Sequence, residues 1–206
     1  MKIRKNKFMV IMVFLFGIIS VNAQAAEIIN IGNINIQNPA NNQVSQASLT
    51  LTRTHNITWF PKDLPNNIVL GIPTFDNRSI LYLETGNEYL HTLRSIFNKA
   101  QEWANTARQN NVNDMQRIIW EDKDIWAYGL VWIFQPLFVM PVFRVINGNC
   151  FLILIFQTTD QFNSKTMAGT QVVIPDSEID KFLQIISEDN ISQASERVID
   201  LNSLFN

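Results

Sequence analysis

The chain has 206 residues, of which 47 % are hydrophobic and 17 % charged, and its formal net charge is −2 at pH 7. A chain of this length and apolar content can bury a core without disulfides or a structural metal. Its slight acidity argues against a nucleic-acid or anionic-membrane surface, because such surfaces normally need a basic patch.

The first 25 residues have the three-part pattern of a secretory signal peptide. Four Lys or Arg residues precede the apolar stretch 8–21, and small residues then permit cleavage after Ala23 or Ala25. A helix of that apolar stretch reaches only about 21 Å, whereas a hydrocarbon core is roughly 30 Å thick. We therefore expect cleavage, with an uncleaved anchor as the alternative and no transmembrane span once the signal is removed.

The cysteine content narrows the range of cellular compartments expected for this protein. Cys150 is the single cysteine, so the chain can form no internal disulfide. Small secreted eukaryotic domains usually depend on several such bonds. A signal peptide without a disulfide therefore favours the periplasm of a Gram-negative bacterium, or secretion beyond it.

Residues 26–48 are predicted to be an N-terminal arm and a linker ahead of a single domain at 49–206. In the arm, isoleucines alternate with polar residues in a strand-like rhythm, whereas 37–48 is uncharged and poor in large apolar side chains. A tethered strand of this kind can add to the sheet edge of a partner through Ile34 and Ile36. The alternative is that it pairs within its own domain.

The domain is predicted to open with strands and to continue into a long helix. β-type composition marks four short segments, at 49–54, 57–60, 68–73 and 79–84. Thr85 and Glu88 then fit a capping box, and apolar residues at helical spacing predict a helix over 86–108. Residues 114–120 are predicted to form a second, short helix.

The stretch 125–143 has nineteen residues and no charge, so it could be a membrane helix, a buried core segment or a binding surface. Pro136 and Pro141 disfavour a soluble helix, in which an internal proline costs about 3 kcal/mol. Asn147–Gly148 lies between two runs rich in Val, Ile and Phe, which is typical of a β-hairpin. We therefore predict a three-strand meander over 125–134, 137–146 and 150–157.

The C-terminal part predicts one more strand at 169–175, a helix at 177–188 and a shorter helix at 192–201. Together these elements indicate an α+β fold. Its mainly antiparallel sheet would have about five to seven strands and would pack against the helices 86–108 and 177–188.

No catalytic or metal-binding motif is evident, and no cofactor is expected. His55 and His91 lack the convergent partners of a metal site, and Cys150 has no neighbour in sequence that would activate it. The acidic run 121–124 lacks the spacing of a calcium loop. An enzyme would need one of the histidines beside a carboxylate such as Asp122 or Asp124.

Aromatic residues crowd into 120–143, beginning with Trp120. Alternation along a strand places Trp126, Tyr128, Trp132 and Phe134 on one face. That face could be ordinary core, a platform for a flat ligand, or a surface for a protein partner. The favoured interpretation of function is an exported binding protein, such as an adaptor, a secretion accessory or an immunity protein, with a partner in the cell envelope. An envelope hydrolase or transferase is the alternative.

Overall fold

A computed structural model of the chain describes residues 28–38, 40–54, 67–75, 80–121, 124–130, 134–158 and 170–203. Within these ranges the fold is α+β, with nine strands, three α-helices and one 3₁₀ turn. The elements in chain order are β1 (Ile29–Gln37), β2 (Val44–Arg53), β3 (Ile68–Pro73), β4 (Ile80–Glu84), α1 (Asn87–Gln109), β5 (Asp114–Ile118), β6 (Ile125–Leu130), β7 (Phe134–Ile146), β8 (Asn149–Thr158), β9 (Thr170–Pro175), the 3₁₀ turn (Asp176–Glu178), α2 (Ile179–Ile185) and α3 (Glu188–Ser203).

The strands form one antiparallel sheet whose pairings close on themselves. Neighbours follow the order β7-β6-β4-β3-β2-β1-β9-β8, and β8 pairs with β7 again, so eight strands form a ring. The ninth strand, β5, lies outside this ring beside the second half of β7. Between β1 and β9 a single register pair, Gln37 with Val173, completes the ring. The sheet exceeds the predicted five to seven strands because β1 and β5 belong to it.

The loose arm expected at 26–48 is not confirmed. β1 pairs with β2 at eight register positions, from Ile29 opposite Leu51 to Gln37 opposite Val44. The polar run between them is a hairpin turn, in which the backbone of Asn38 bonds to those of Asn42 and Gln43. Asn42 has a φ of 59°, a left-handed conformation that asparagine tolerates better than most residues. The turn folds the isoleucines of β1 back onto the domain.

The long helix is confirmed as α1, but the predicted capping box is not formed. The N-cap of α1 is Gly86, which has no side chain to accept a hydrogen bond. The hydroxyl of Thr85 instead donates to the carbonyl of Ile68 in β3, at 2.7 Å. A bond to the neighbouring strand has therefore replaced the local one.

The short helix predicted at 114–120 is wrong, because this segment forms β5. Its residues pair with β7 from Asp114 opposite Ile146 to Ile118 opposite Val142. The amide of Ile119 then donates to the carbonyl of Pro141 at 3.0 Å. The second half of β7 offers a strand edge, and pairing with it outweighs a weak local helical preference.

The predicted meander is confirmed as β6, β7 and β8. Asn147 and Gly148 form the β7–β8 turn with φ of 50° and 78°, the two positive values that a tight hairpin of this type requires. One boundary differs from the prediction: β6 ends at Leu130, which pairs with Phe134 as the first residue of β7. Phe134 therefore does not share a strand with Trp126 and Tyr128.

The main core lies between the sheet and the helices. α1 contributes one face to it, and α2 and α3 cover neighbouring parts of the same core. At its centre the fully buried rings of Phe97 and Phe182 stack with centroids 4.0 Å apart. No helix in the described ranges is long and apolar enough to cross a membrane.

The 3₁₀ turn secures β1 from the side away from β2. The carboxylate of Glu178 accepts a hydrogen bond from the backbone amide of Asn35 at 3.0 Å and another from its side-chain amide at 2.8 Å. These are contacts that a further strand would otherwise make. The side chain of Glu178 therefore provides a hydrogen-bond acceptor at the edge of β1, where the pairing with β9 is short.

We expect Phe97→Ala to lower the free energy of unfolding by about 3–5 kcal/mol, because it removes a fully buried ring and leaves a cavity against Phe182. Asn98→Ala on the exposed side of α1 is the matched control and should change it by less than about 0.5 kcal/mol. Urea denaturation followed by circular dichroism measures both. Equal midpoints for the two variants would contradict this packing.

We expect Glu178→Ala to destabilise the protein by about 1–3 kcal/mol, since two amide groups of Asn35 lose their acceptor. Glu196→Ala, at an exposed position of α3, should have little effect. Hydrogen exchange of the Asn35 amide gives a local readout: it should accelerate in Glu178→Ala alone. Unchanged exchange would show that another group protects the β1 edge.

Candidate functional site

Strands β5, β7, β8 and β9 have a second apolar face, directed away from α1. Along β7 and β8, Phe143 and Leu152 belong to the main core, whereas their neighbours Val142 and Ile153 belong to a separate cluster. This alternation is the period of two of a β-strand. No residue of a described helix contributes to the second cluster. We call it the outer cluster; it consists of Val142, Ile153 and Val173 with the half-buried Ile118, Met140, Phe151 and Ile155.

The register of the sheet builds the outer cluster. One row crosses four strands, with Ile118 beside Val142, Val142 beside Ile153, and Ile153 beside Val173. Met140 and Ile155 form the adjacent pair. Cross-strand neighbours of this kind support one another. The three central residues, Val142, Ile153 and Val173, are 2, 8 and 6 % exposed, so the centre of the outer cluster is buried.

Trp120 extends the outer cluster at the end of β5. Its side chain is 75 % exposed, the largest exposed fraction among the large hydrophobic residues described. The bond from Ile119 to Pro141 holds the chain against β7 at this point. Trp120, Met140 and Pro141 line a water-sized recess of about 20 Å³, together with the acidic residues Glu121 and Asp124. We call Trp120 together with the outer cluster the outer patch.

Arg144 supplies a positive charge on the same face of the sheet. It is exposed, lies opposite Phe151 in the β7–β8 register, and forms no ion pair with any residue that the structure describes. Among the other described arginines, Arg94 and Arg108 pair with carboxylates and Arg117 lies 5.0 Å from the ring of Trp103, whereas Arg53 and Arg197, like Arg144, form no ion pair with a described residue. A planar guanidinium without a partner is suited to bind an incoming carboxylate.

The residues predicted to bind a partner lie in different parts of the structure. Ile34 and Ile36 are 0 and 1 % exposed in the main core, so in this fold they present no surface to a partner. Trp126 and Tyr128 lie in β6 and Phe134 opens β7, but their side chains, like the whole of Trp132, are outside the described part of the chain. Their role in binding stays a prediction.

Trp120 was missed as an individual residue, although the crowding of aromatics includes it. The neighbouring residues contain a pattern that could have indicated its exposure. Ile118 and Trp120 alternate with Ile119, which is buried, and a charged run follows immediately at 121–124. An apolar residue just beyond the end of an edge strand is often exposed to solvent. This expectation requires the segment to be a strand, whereas the sequence predicted a helix here.

The residues considered for catalysis do not converge in the described ranges. His91 is exposed on α1 and lines a cleft with Glu84 and Glu188, whereas Asp124 lines the recess beside Trp120. His91 forms no hydrogen bond with a described residue. His55 and Asp122 lie outside the described residues. Among those described, no three His, Cys, Asp or Glu side chains are grouped to hold a metal ion.

Cys150 is the second residue of β8 and is buried. Burial raises the pKa of its thiol, the negative charge of Asp176 raises it further, and Arg108 partly opposes both effects. A raised pKa keeps the sulfur protonated at neutral pH, and the protonated thiol is a poor nucleophile. This environment suits a small buried side chain.

Comparisons of the chain with protein-family models, with curated proteins and with solved structures found no match.

We expect Cys150 in the folded protein to react with a thiol reagent roughly tenfold or more slowly than in concentrated guanidinium chloride, because the sulfur is buried and protonated. The folded-state rate should keep rising with pH beyond the ordinary thiol range, since the pKa is raised. A time course at several pH values measures both effects. Equal rates in the folded and unfolded states would contradict the buried position.

Proposed function

We propose that this chain is a binding protein of the bacterial cell envelope, exported by its N-terminal signal, and that it holds a protein partner on the outer patch. The observation that carries the proposal is Trp120, 75 % exposed beside an apolar sheet face on which no described helix packs. The residues of 1–25 support export, through their basic start, short apolar stretch and small-residue exit.

The composition of the surface favours a protein partner. Tryptophan and arginine are the residue types that most often dominate binding energy at protein interfaces. Here Arg144 lies on the outer face of the sheet, and Trp120 lies two residues beyond Ile118 of the outer cluster, at the end of β5. A large exposed ring that packs into an apolar pocket on a partner removes much surface from water.

The charge on this surface defines the chemistry of the partner. A complementary partner presents an apolar surface that receives Trp120 and a carboxylate that meets the exposed guanidinium of Arg144. The aromatic residues predicted from the sequence, Trp126, Tyr128, Trp132 and Phe134, are candidates for the same contact. Trp126 is the register partner of Phe138, so its backbone adjoins the outer patch.

Site-specific photo-cross-linking in cells tests the proposal. A photoreactive phenylalanine analogue at position 120 should yield a discrete adduct with a different envelope protein, and the same analogue at position 98 on α1 should not. Arg144→Glu should reduce the adduct roughly tenfold or more, since it replaces an attraction with a repulsion. Trp126→Ala and Trp132→Ala test the extended surface in the same assay.

The control is folding: each variant should keep the far-UV circular dichroism spectrum and melting temperature of the parent. Position 120 is mostly exposed, so its replacement should not disturb the core. Adducts that form equally from positions 120 and 98, or an adduct that consists only of a second copy of this chain, would overturn the proposal.

A further inference from the structure

A second surface feature lies between the β1–β2 and β7–β8 hairpins. It is an open cleft of about 660 Å³, which is within the range of roughly 300–1,000 Å³ typical of small-ligand sites. The segment from Pro175 to Glu178 forms its base, and Cys150 and Phe151 lie beside it. We call it the amide cleft, after the side chains that line it: Asn35, Gln37, Asn42, Asn147 and Asn149.

The charges at the amide cleft are unfavourable for an anionic ligand. No Lys or Arg is among the described residues that line it. Its two carboxylates already have partners within the protein, because Asp176 pairs with Arg108 and Glu178 binds Asn35. A ligand with a phosphate or a carboxylate would therefore find no cation among these lining residues, whereas a neutral ligand needs none.

The polar groups of the cleft can both donate and accept. An amide side chain presents an acceptor oxygen and a donor NH₂ in one plane. Asn149 makes only contacts of 3.5 Å to the backbone of its own turn, so its amide has capacity for a stronger partner. Adjacent hydroxyl groups, each a donor and an acceptor, match this arrangement.

Apolar surface completes the cleft. Val44 on one hairpin is 55 % exposed and Ile146 on the other is 38 % exposed. Phe151 and Pro175, neighbours in the β8–β9 register, lie between them. These groups can cover the C–H face of a ring whose hydroxyls are bound by the amides.

We propose that the amide cleft binds a neutral saccharide. Amides without cations match hydroxyl groups, and Phe151, Val44 and Ile146 match the apolar face of a sugar ring. An extended peptide fits less well, because strand addition needs a free backbone edge and Glu178 already occupies the β1 edge at Asn35. The cleft shares only Phe151 with the outer patch, and the proposal does not depend on the partner proposed there.

A glycan array that carries neutral and acidic oligosaccharides tests the purified protein. Neutral glycans should be retained in preference to acidic ones. Isothermal titration with the best-retained glycan should show affinity roughly tenfold or more lower for the double variant Gln37→Ala/Asn149→Ala, which removes two amides from the cleft. The matched control Asn98→Ala removes an exposed amide from α1 and should bind like the parent.

Nuclear magnetic resonance of the unmodified protein provides a second readout that does not depend on a variant folding. The same glycan should shift the side-chain amide signals of Asn147 and Asn149 and leave that of Asn98 unchanged. Retention of no neutral glycan, preference for acidic glycans, unaltered affinity of the double variant, or shifts confined to other surfaces would each overturn the proposal.

Discussion

Strand β7 has partners along both of its edges, and the rest of the sheet depends on them. β8 occupies one edge through ten register pairs, whereas β6 and β5 share the other edge in succession. Along this edge of β7, the pairing with β6 ends at Val139 and the pairing with β5 begins at Val142, so Pro141 lies between the two. Its carbonyl accepts the bond from Ile119, and in an extended strand the nitrogen and oxygen of one residue face the same side. The missing N–H of Pro141 therefore faces this junction, and β8 loses no bond.

Pairing on both edges explains how much of the uncharged segment 125–143 contributes strands to the sheet. The apolar side chains of β7 and β8 then divide between two faces. α1 covers one of them, and the other is the outer patch. A strand that is apolar on both faces is usually covered on both, and Val142, Ile153 and Val173 of the outer cluster are themselves buried.

The C-terminal segment is bonded to α1 through two arginines of that helix. Arg94 donates two hydrogen bonds to the carbonyl of Ile186, at 2.9 and 2.7 Å, and pairs with Glu188 at the start of α3. Arg108, near the end of α1, pairs with Asp176 in the 3₁₀ turn. These bonds position Glu178 against β1 and also set the base of the amide cleft. The geometry of that cleft is therefore coupled to α1, although α1 does not line it.

The sequence by itself determined the features that depend on local periodicity and turn chemistry. These include α1 with its apolar stripe, β3 at its observed limits, and the Asn147–Gly148 hairpin with its two left-handed residues. Helical spacing and a positive φ are encoded by residues that lie close together in the chain. The position of Ile34 and Ile36 was open, because a strand rhythm is the same whether its partner is β2 or another protein.

Only the tertiary structure decided which edges and faces meet. Residues 114–118 became β5 because β7 presents an unpaired edge beside them, a fact that no local pattern contains. The exposure of Trp120 follows from this pairing. The amide cleft follows from other pairings, because it joins residues of the β1–β2 and β7–β8 hairpins that are far apart in the sequence. The physical reason is that hydrogen bonding between strands and burial of their faces are long-range choices, made by competition among all edges at once.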